Sequence, residues 1–411
     1  MKFITTLLFC FLISAIVTQA QNRVYSGLEV AQEQNFSMLK GKRVGLITNA
    51  TGVDFNLNST VDILFKNKEV NLVALYGPEH GVRGDISAGQ KVETYTDEQT
   101  GLIVYSLYGK TRKPTKEMME PIEVLVYDIQ DIGSRSYTFI STLGLAMEAA
   151  AEYNKEVVIL DRPNPLGGEK IEGNLIEDGF YSFVSQYNVP YVHGFTVGEF
   201  AEFLNGEKLL NDGVFCKLTV VPMKNWKRSM NFIETGLPWV PTSPHIPHSD
   251  SPIYYTASGV LGELGVVSEG VGYTTPFQLY VAEWMNPAVL AEKMNALKLL
   301  GVTFRPVSIK PYYTKHEGKQ LKGVQIHIRN YKEVNLLELQ FYFMQVHHEL
   351  YPDKDIFEMS TSRHTMFDKV MGSNKVREMF SKNYKVEDIH DFLNKDIQLF
   401  RSRAQKYYLY Q

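Results

Sequence analysis

Cysteine is almost missing from this chain. There are two, Cys10 and Cys216, and Cys10 falls inside an N-terminal apolar run. Removal of that run would leave one thiol, so no internal disulfide can brace the fold and stability must come from a core. Several motifs of common chemistries are also missing. The lack of G-x-G-x-x-G after the first strand pattern argues against a dinucleotide site. The lack of G-x-S-x-G argues against an α/β-hydrolase. There is no H-E-x-x-H and no pair of thiolates, and the proline inside "HIPH" (245–248) prevents His245 and His248 from forming a helical ligand pair. His80 and His193 complete the four histidines a metal reading would need, but no metal or other cofactor is expected. Positive charge is in deficit, with 42 Lys and Arg against 46 Asp and Glu, and no basic stripe marks a nucleic-acid partner. Beyond residue 20 no stretch reaches 18 uninterrupted apolar residues, so no later membrane span is expected.

The first 20 residues are a separate matter. Lys2 precedes the apolar run "FITTLLFCFLISAIV" and the small-residue end "TQA" before Gln21. That order is the pattern of a secretory signal cut after Ala20, and it predicts an exported protein, periplasmic or secreted.

The remaining chain is long enough for two domains and a sizeable core. Five runs rich in Val, Ile and Leu read as buried strands, at 43–49, 71–76, 102–107, 123–129 and 156–161. Helix-like stretches at 59–68 and 142–155 lie between them. Buried strands separated by helices predict right-handed crossovers and a parallel sheet, an α/β fold with a Rossmann-like layered N-terminal domain over residues 21–250. The Pro- and Ser-dense stretch 238–252 reads as an extended connector. After it, a helix pattern (286–300), two strand patterns ("VTFRPVSI", "GVQIHIRN") and a largely helical tail predict a smaller α/β domain over 251–411.

In parallel sheets, ligands bind beyond the carboxyl ends of strands, where loops meet the N-termini of the next helices. Three polar clusters follow predicted strands: "GPEHGVRGD" (77–85), "YDIQDIGSRSYT" (127–138) and "LDRPNPLGG" (160–168). Placed on one sheet edge, they would converge on one crevice. Each residue also has an ordinary structural explanation. Glu79 could pair with Arg83, and Asp128 and Asp131 could cap a helix starting near Ser136, with Arg135 as their ion-pair partner. Asp161 could brace the turn stiffened by Pro163 and Pro165, and Asn164 could form that turn. His193 could face the crevice or satisfy a turn. Thr196 and Glu199 form a capping box ahead of an apolar run, which accounts for Glu199 without function.

Five motifs, "GPEHGVRG", "YDIQDIGSRSYT", "LDRPNPLGGEKIEG", "HGFTVGEFA" and "LPWVPTSPHIP", occur in the order and spacing found in the secreted exo-β-N-acetylmuramidases, glycoside hydrolase family 171. The chain resembles that family over roughly residues 40–280. The resemblance implies a site between a Rossmann-like domain and a smaller α/β domain. It also implies release of N-acetylmuramic acid from non-reducing ends of peptidoglycan fragments, with muropeptides or disaccharides as partners. Glu79, with His80 beside it and Glu269 as acidic partner, would then carry the catalysis. Arg83, Arg135 or Arg162 would hold the lactyl carboxylate. Asp128, Asp131, Tyr137, Asp161, Asn164 and His193 would complete the sugar site. The chain departs from the family between 263 and 278, where many relatives read approximately "EGTN-x-SEGRGTTRPFE". Val266 replaces the Asn, Val271 and Thr275 replace two arginines, and Gln278 replaces the Glu. This puts the substrate in doubt more than the reaction, and leaves a non-catalytic muropeptide-binding protein and a metal-dependent hydrolase as alternatives.

Overall fold

The computed structural model describes residues 23–84 and 93–411. The signal-like segment and Asp85 lie outside the described residues. Seven strands form the first sheet: β1 (Arg43–Thr48), β2 (Asn71–Gly77), β3 (Tyr95–Thr96), β4 (Ile103–Ser106), β5 (Val124–Asp128), β6 (Glu156–Leu160) and β7 (Lys217–Val221). Their spatial order is β3-β4-β2-β1-β5-β6-β7, and every neighbouring pair is parallel except β3 with β4. The five strands expected from the apolar runs are all present. The sequence reading missed β3 and β7, because β3 is two residues long and β7 alternates exposed and half-covered positions at the sheet edge.

Side-chain alternation along each strand builds two cores from one sheet. Val44, Leu46, Val124, Val126, Val158 and Leu160 face one layer. Ile47, Leu125, Tyr127, Val157 and Ile159 face the other, against the helices Phe139–Glu152 and Val197–Gly206. Both faces are covered, so these strands read as continuous apolar runs, each buried Val, Leu or Ile worth about 1.5–3 kcal/mol.

The second sheet is antiparallel, ordered β8-β10-β9, from β8 (Leu279–Ala282), β9 (Val302–Ile309) and β10 (Leu321–Ile328). It packs with the helices Ser251–Leu264 and Leu336–Leu350 into a core that also takes in Leu166, Tyr191 and Val192 from the first half. Residues 238–250 run without helix or strand into the Ser251–Leu264 helix. That helix bonds back across the halves: Thr256 Oγ1 lies 2.9 Å from Ser134 Oγ, and the Tyr255 hydroxyl 3.0 Å from Ser136 Oγ. The chain end returns to the first sheet, where Phe400 and Ala404 enter its helix-covered core and the Tyr410 hydroxyl bonds Asp161. Among the described residues no helix is long and apolar enough to cross a membrane.

Candidate active site

Chain order in the first sheet reverses between β1 and β5, the usual place for a crevice in an open parallel sheet. Here the reversal point is occupied by protein. Asp128, at the end of β5, accepts both Nε and Nη2 of Arg162 and the hydroxyl of Thr60, while Arg162 also donates to the Val53 carbonyl (2.9 Å). A cavity of about 20 Å³ lies beside Arg162.

The roomy cleft is displaced toward β2 and β4. It measures about 600 Å³, within the roughly 300–1,000 Å³ range of small-ligand sites, and is walled by both halves of the chain. The first half contributes Glu79 and His80 after β2, Tyr108 and Arg112 after β4, and Ser136 to Phe139 after β5. Facing them are His245 and Ile246 of the connector, Glu263 at the end of the Ser251–Leu264 helix, Phe277, and Lys369 of the His364–Met371 helix.

The turn after β2 explains why the glycines are needed there. Gly81 N donates to the Pro78 carbonyl (3.0 Å), and both His80 and Gly81 have φ of 73°. Left-handed backbone is free for glycine but costs a side-chain-bearing residue about 1–2 kcal/mol, so His80 holds strained backbone at the cleft wall. Glu79 points at the start of the Phe139–Glu152 helix, where Thr138 Oγ1 lies 3.5 Å from its Oε2. The Tyr108 hydroxyl also bonds Glu79, and burial together with that carboxylate pushes the phenol up to about 12. His245 is held below the usual imidazole range, first by burial and then by the neighbouring His80. Tyr137 completes this wall, donating to Thr242 Oγ1 (2.8 Å) and packing edge-on against Phe139 and Tyr255.

Of the residues singled out from sequence, the structure thus brings Glu79, His80 and Tyr137 together on the cleft. The others are engaged elsewhere. Arg83 grips Asp97 with Nε and Nη2 (2.9 and 3.0 Å) and reaches Asp62 (3.1 Å), not Glu79. This fork holds the Asp97 carboxyl down at about 2. Arg135 is fully buried, with Nη1 and Nη2 bonded to the carbonyls of Asn174, Val189 and Val370 at 2.7–3.1 Å and Nε without a hydrogen-bond partner among the described residues, and it pairs with neither Asp128 nor Asp131. The helix expected near Ser136 begins at Phe139, and neither aspartate caps it. Asp161 caps the Val197–Gly206 helix instead, accepting from Gly198 N and Thr196 Oγ1 (both 2.8 Å), and burial pushes its carboxyl up to about 7. Asn164 ties two loops, donating to the Phe195 carbonyl and accepting from Leu166 N (both 2.9 Å).

Asp131 and His193 form a buried pair behind the cleft wall, with His193 Nε2 3.8 Å from Asp131 Oδ2. Burial raises the Asp131 carboxyl to about 7 and lowers the His193 imidazole to about 3. Glu269 is likewise pushed up to about 7 by burial, and it packs beside Gly262 rather than lining the cleft. Glu263, the residue after Gly262, is the acid that faces the cleft from that side, bonded to Arg363 (3.0 Å).

Sequence reasoning missed Tyr108, Arg112, Glu263 and Lys369. It expected the loop after β6 at the cleft, whereas the loop after β4 is there. "LYGKTRKP" is basic but holds no acid or histidine to suggest catalysis, and Lys369 sits on a helix remote in sequence. Among the described residues neither Arg112 nor Lys369 has a carboxylate ion-pair partner, while Arg112 lies over the Phe183 ring at 4.2 Å. No group of three His, Cys, Asp or Glu side chains gathers as a metal site among the described residues.

A mainly parallel sheet covered on both faces, a smaller antiparallel sheet, and an acid-, histidine- and tyrosine-walled cleft lined by both halves of the chain define a class of two-part α/β proteins with a sugar-sized site. Comparison with known proteins narrows the class. Residues 44–250 match the family described as "Exo-beta-N-acetylmuramidase NamZ, N-terminal", and residues 253–410 match its C-terminal counterpart. The chain belongs to this exo-β-N-acetylmuramidase family, a family of glycoside hydrolases. It is 43% identical over 393 residues to the peptidoglycan β-N-acetylmuramidase NamZ of Bacillus subtilis, covering 96% of this chain and 93% of that one. Crystal structures of two DUF1343 family proteins from Bacteroides fragilis are also similar. One has 56% identity and a TM-score of 0.91 over 95% of this chain and all of that one. The other has 28% identity and a TM-score of 0.75 over 94% and 99%.

Proposed function

We propose that this chain is an exo-acting glycosidase that releases N-acetylmuramic acid from the non-reducing ends of peptidoglycan fragments. The observation that carries this reading is Glu79, set by a strained turn at the carboxyl end of β2 onto a sugar-sized cleft in a chain of this family. Glycosidic cleavage needs a group that protonates the leaving oxygen and another that meets the oxocarbenium-like centre. Glu79 is the acid or base, with His80 and the Tyr108 hydroxyl beside it. Glu263 is the acid that looks onto the same space from the second half, a position the sequence reading gave to Glu269. The lactyl carboxylate of muramic acid calls for a cation, and Arg112 and Lys369 supply it in place of the three engaged arginines. Asp128, Arg162, Asp161, Arg135 and Asn164 hold the loops that shape the site. The substrates are muropeptides or disaccharides ending in muramic acid. The N-terminal signal pattern supports export, to the periplasm or beyond, where such fragments arise.

Turnover of a chromogenic β-N-acetylmuramide decides the core of this reading. Glu79→Gln is expected to lower kcat about 10²- to 10⁴-fold with substrate binding largely kept. A wild-type protein that binds muropeptides by calorimetry without releasing product would instead be a non-catalytic binder, and activity abolished by chelator would make it a metal-dependent hydrolase. A Glu79→Gln variant of normal rate removes Glu79 from the mechanism.

A further inference from the structure

A second concavity, a shallow groove of about 870 Å³, lies at the loop between β9 and β10, lined by Tyr273, Tyr312, Lys310, Glu317 and Gln320 among others. Its floor is aromatic and open to solvent. Tyr312 is 68% exposed and Tyr313 48%, both among the large apolar side chains left uncovered by the fold. The rings are ordered rather than scattered: Tyr273 and Tyr312 lie nearly parallel, at 8° with 5.8 Å between centroids.

Backbone contacts build this arrangement. Tyr312 N donates to the Gly272 carbonyl (2.8 Å), and a Cβ on Gly272, at φ 96°, would meet the Tyr313 carbonyl oxygen at 2.4 Å. Only glycine lets the two segments approach so closely. Lys315 fastens the same loop to the Gly265 carbonyl, and Lys319 pairs with Glu283 (2.7 Å).

The groove neighbours the cleft. His245 of the cleft wall stacks on Tyr313 at 6.0 Å and 19°, and the preceding residue, Tyr312, lines the groove. Phe277 lines the cleft and Tyr273, four residues earlier in the chain, lines the groove.

An exposed aromatic patch with polar residues at its margin marks a binding surface. Parallel flat rings fit the C–H face of a pyranose, while Lys310, Glu317 and Gln320 can bond hydroxyl and acetamido groups at the rim. We infer that this tyrosine groove is a subsite for the glycan chain beyond the bond being cleaved, holding the leaving side of a peptidoglycan strand whose terminal residue occupies the cleft. This rests on the proposed function for the identity of the strand. The His245–Tyr313 contact sets the groove beside the cleft, within reach of a ligand that extends out of it.

The test compares two substrates. Kinetics are measured on a chromogenic β-N-acetylmuramide, which ends at the cleft, and on peptide-free glycan strands bearing muramic acid at the non-reducing end. Tyr312→Ala, a surface change outside the cleft, is expected to raise KM for strands roughly five- to ten-fold and leave kcat and KM for the chromogenic substrate unchanged. Tyr312→Phe, which keeps the ring, is expected to retain strand KM. Unchanged strand KM in Tyr312→Ala, or an equal loss on both substrates, overturns the subsite. If the wild type turns over neither substrate, the proposed function fails, and calorimetry on the strands still decides the groove. Weaker binding by Tyr312→Ala supports the subsite, and equal binding overturns it.

Discussion

Replacing Arg162 by Met separates a substrate-binding arginine from one that holds the fold together. Arg162 and Asp128 are 6% and 0% exposed at the side chain, and two guanidinium nitrogens bond the carboxylate. Methionine fills similar volume but leaves Asp128 buried with only the Thr60 hydroxyl for a partner. Breaking a buried pair from one side costs about 3–5 kcal/mol, because the remaining charge loses compensation it cannot recover from water. The lost bond to the Val53 carbonyl adds to this. For a chain of this size the expected result is a fall in Tm of roughly 4–6 °C by calorimetry. The paired variant Arg162→Met with Asp128→Asn should recover much of the loss, since the orphaned charge is then gone. Protein that remains folded at low temperature should keep KM for the muramide substrate near that of the wild type. An unchanged Tm with a large rise in KM would refute the structural role and return Arg162 to the substrate.

Arg112→Ala and Lys369→Ala are each expected to raise KM roughly 10- to 100-fold for substrates with a lactyl carboxylate, since a charge-assisted hydrogen bond is worth about 1.5–3 kcal/mol. The matching glucosaminide should be unaffected, and equal effects on both sugars would reject the assignment. Acid should unfold the region around Asp97. Its carboxyl lies below the ordinary value, mainly through the Arg83 hydrogen bond, so its stabilisation is present above about 4 and is lost as pH falls toward about 2. Arg83 is 23% exposed at the side chain, which screens the pair, so Asp97→Asn should cost about 1–2 kcal/mol at pH 7. The difference from wild type should close as pH drops through that window. Urea titrations across it check this, and a difference that stays constant with pH would count against the pair.

Much of the fold was legible because buried parallel strands leave a strong local signal. The runs ending at Thr48, Gly77, Ser106, Asp128 and Leu160 have apolar side chains on both faces, since helices cover both sides. β7 escaped because an edge strand with alternating exposure resembles loop. The capping box at Thr196 and Glu199 was legible for the same local reason, and Glu199 also takes the buried Arg228.

The site was legible only where one short segment carried it. Glu79, His80 and the glycines of their turn are contiguous, and the backbone demand is written in the glycines themselves. Which of several polar loops would face open space was not local information. Arg83, Arg135 and Arg162 look alike in sequence, each a cation in a polar loop, yet each is consumed by a partner 14 to 235 residues away. The choice of Glu263 over Glu269 turns on which side of the Ser251–Leu264 helix end meets the cleft. Sequence alone determined the five buried strands of the first sheet, the turn that presents Glu79 and the family. Tertiary packing decided which charged groups remained uncommitted, because a guanidinium anchored to carboxylates or carbonyls away from the cleft cannot reach a sugar bound there.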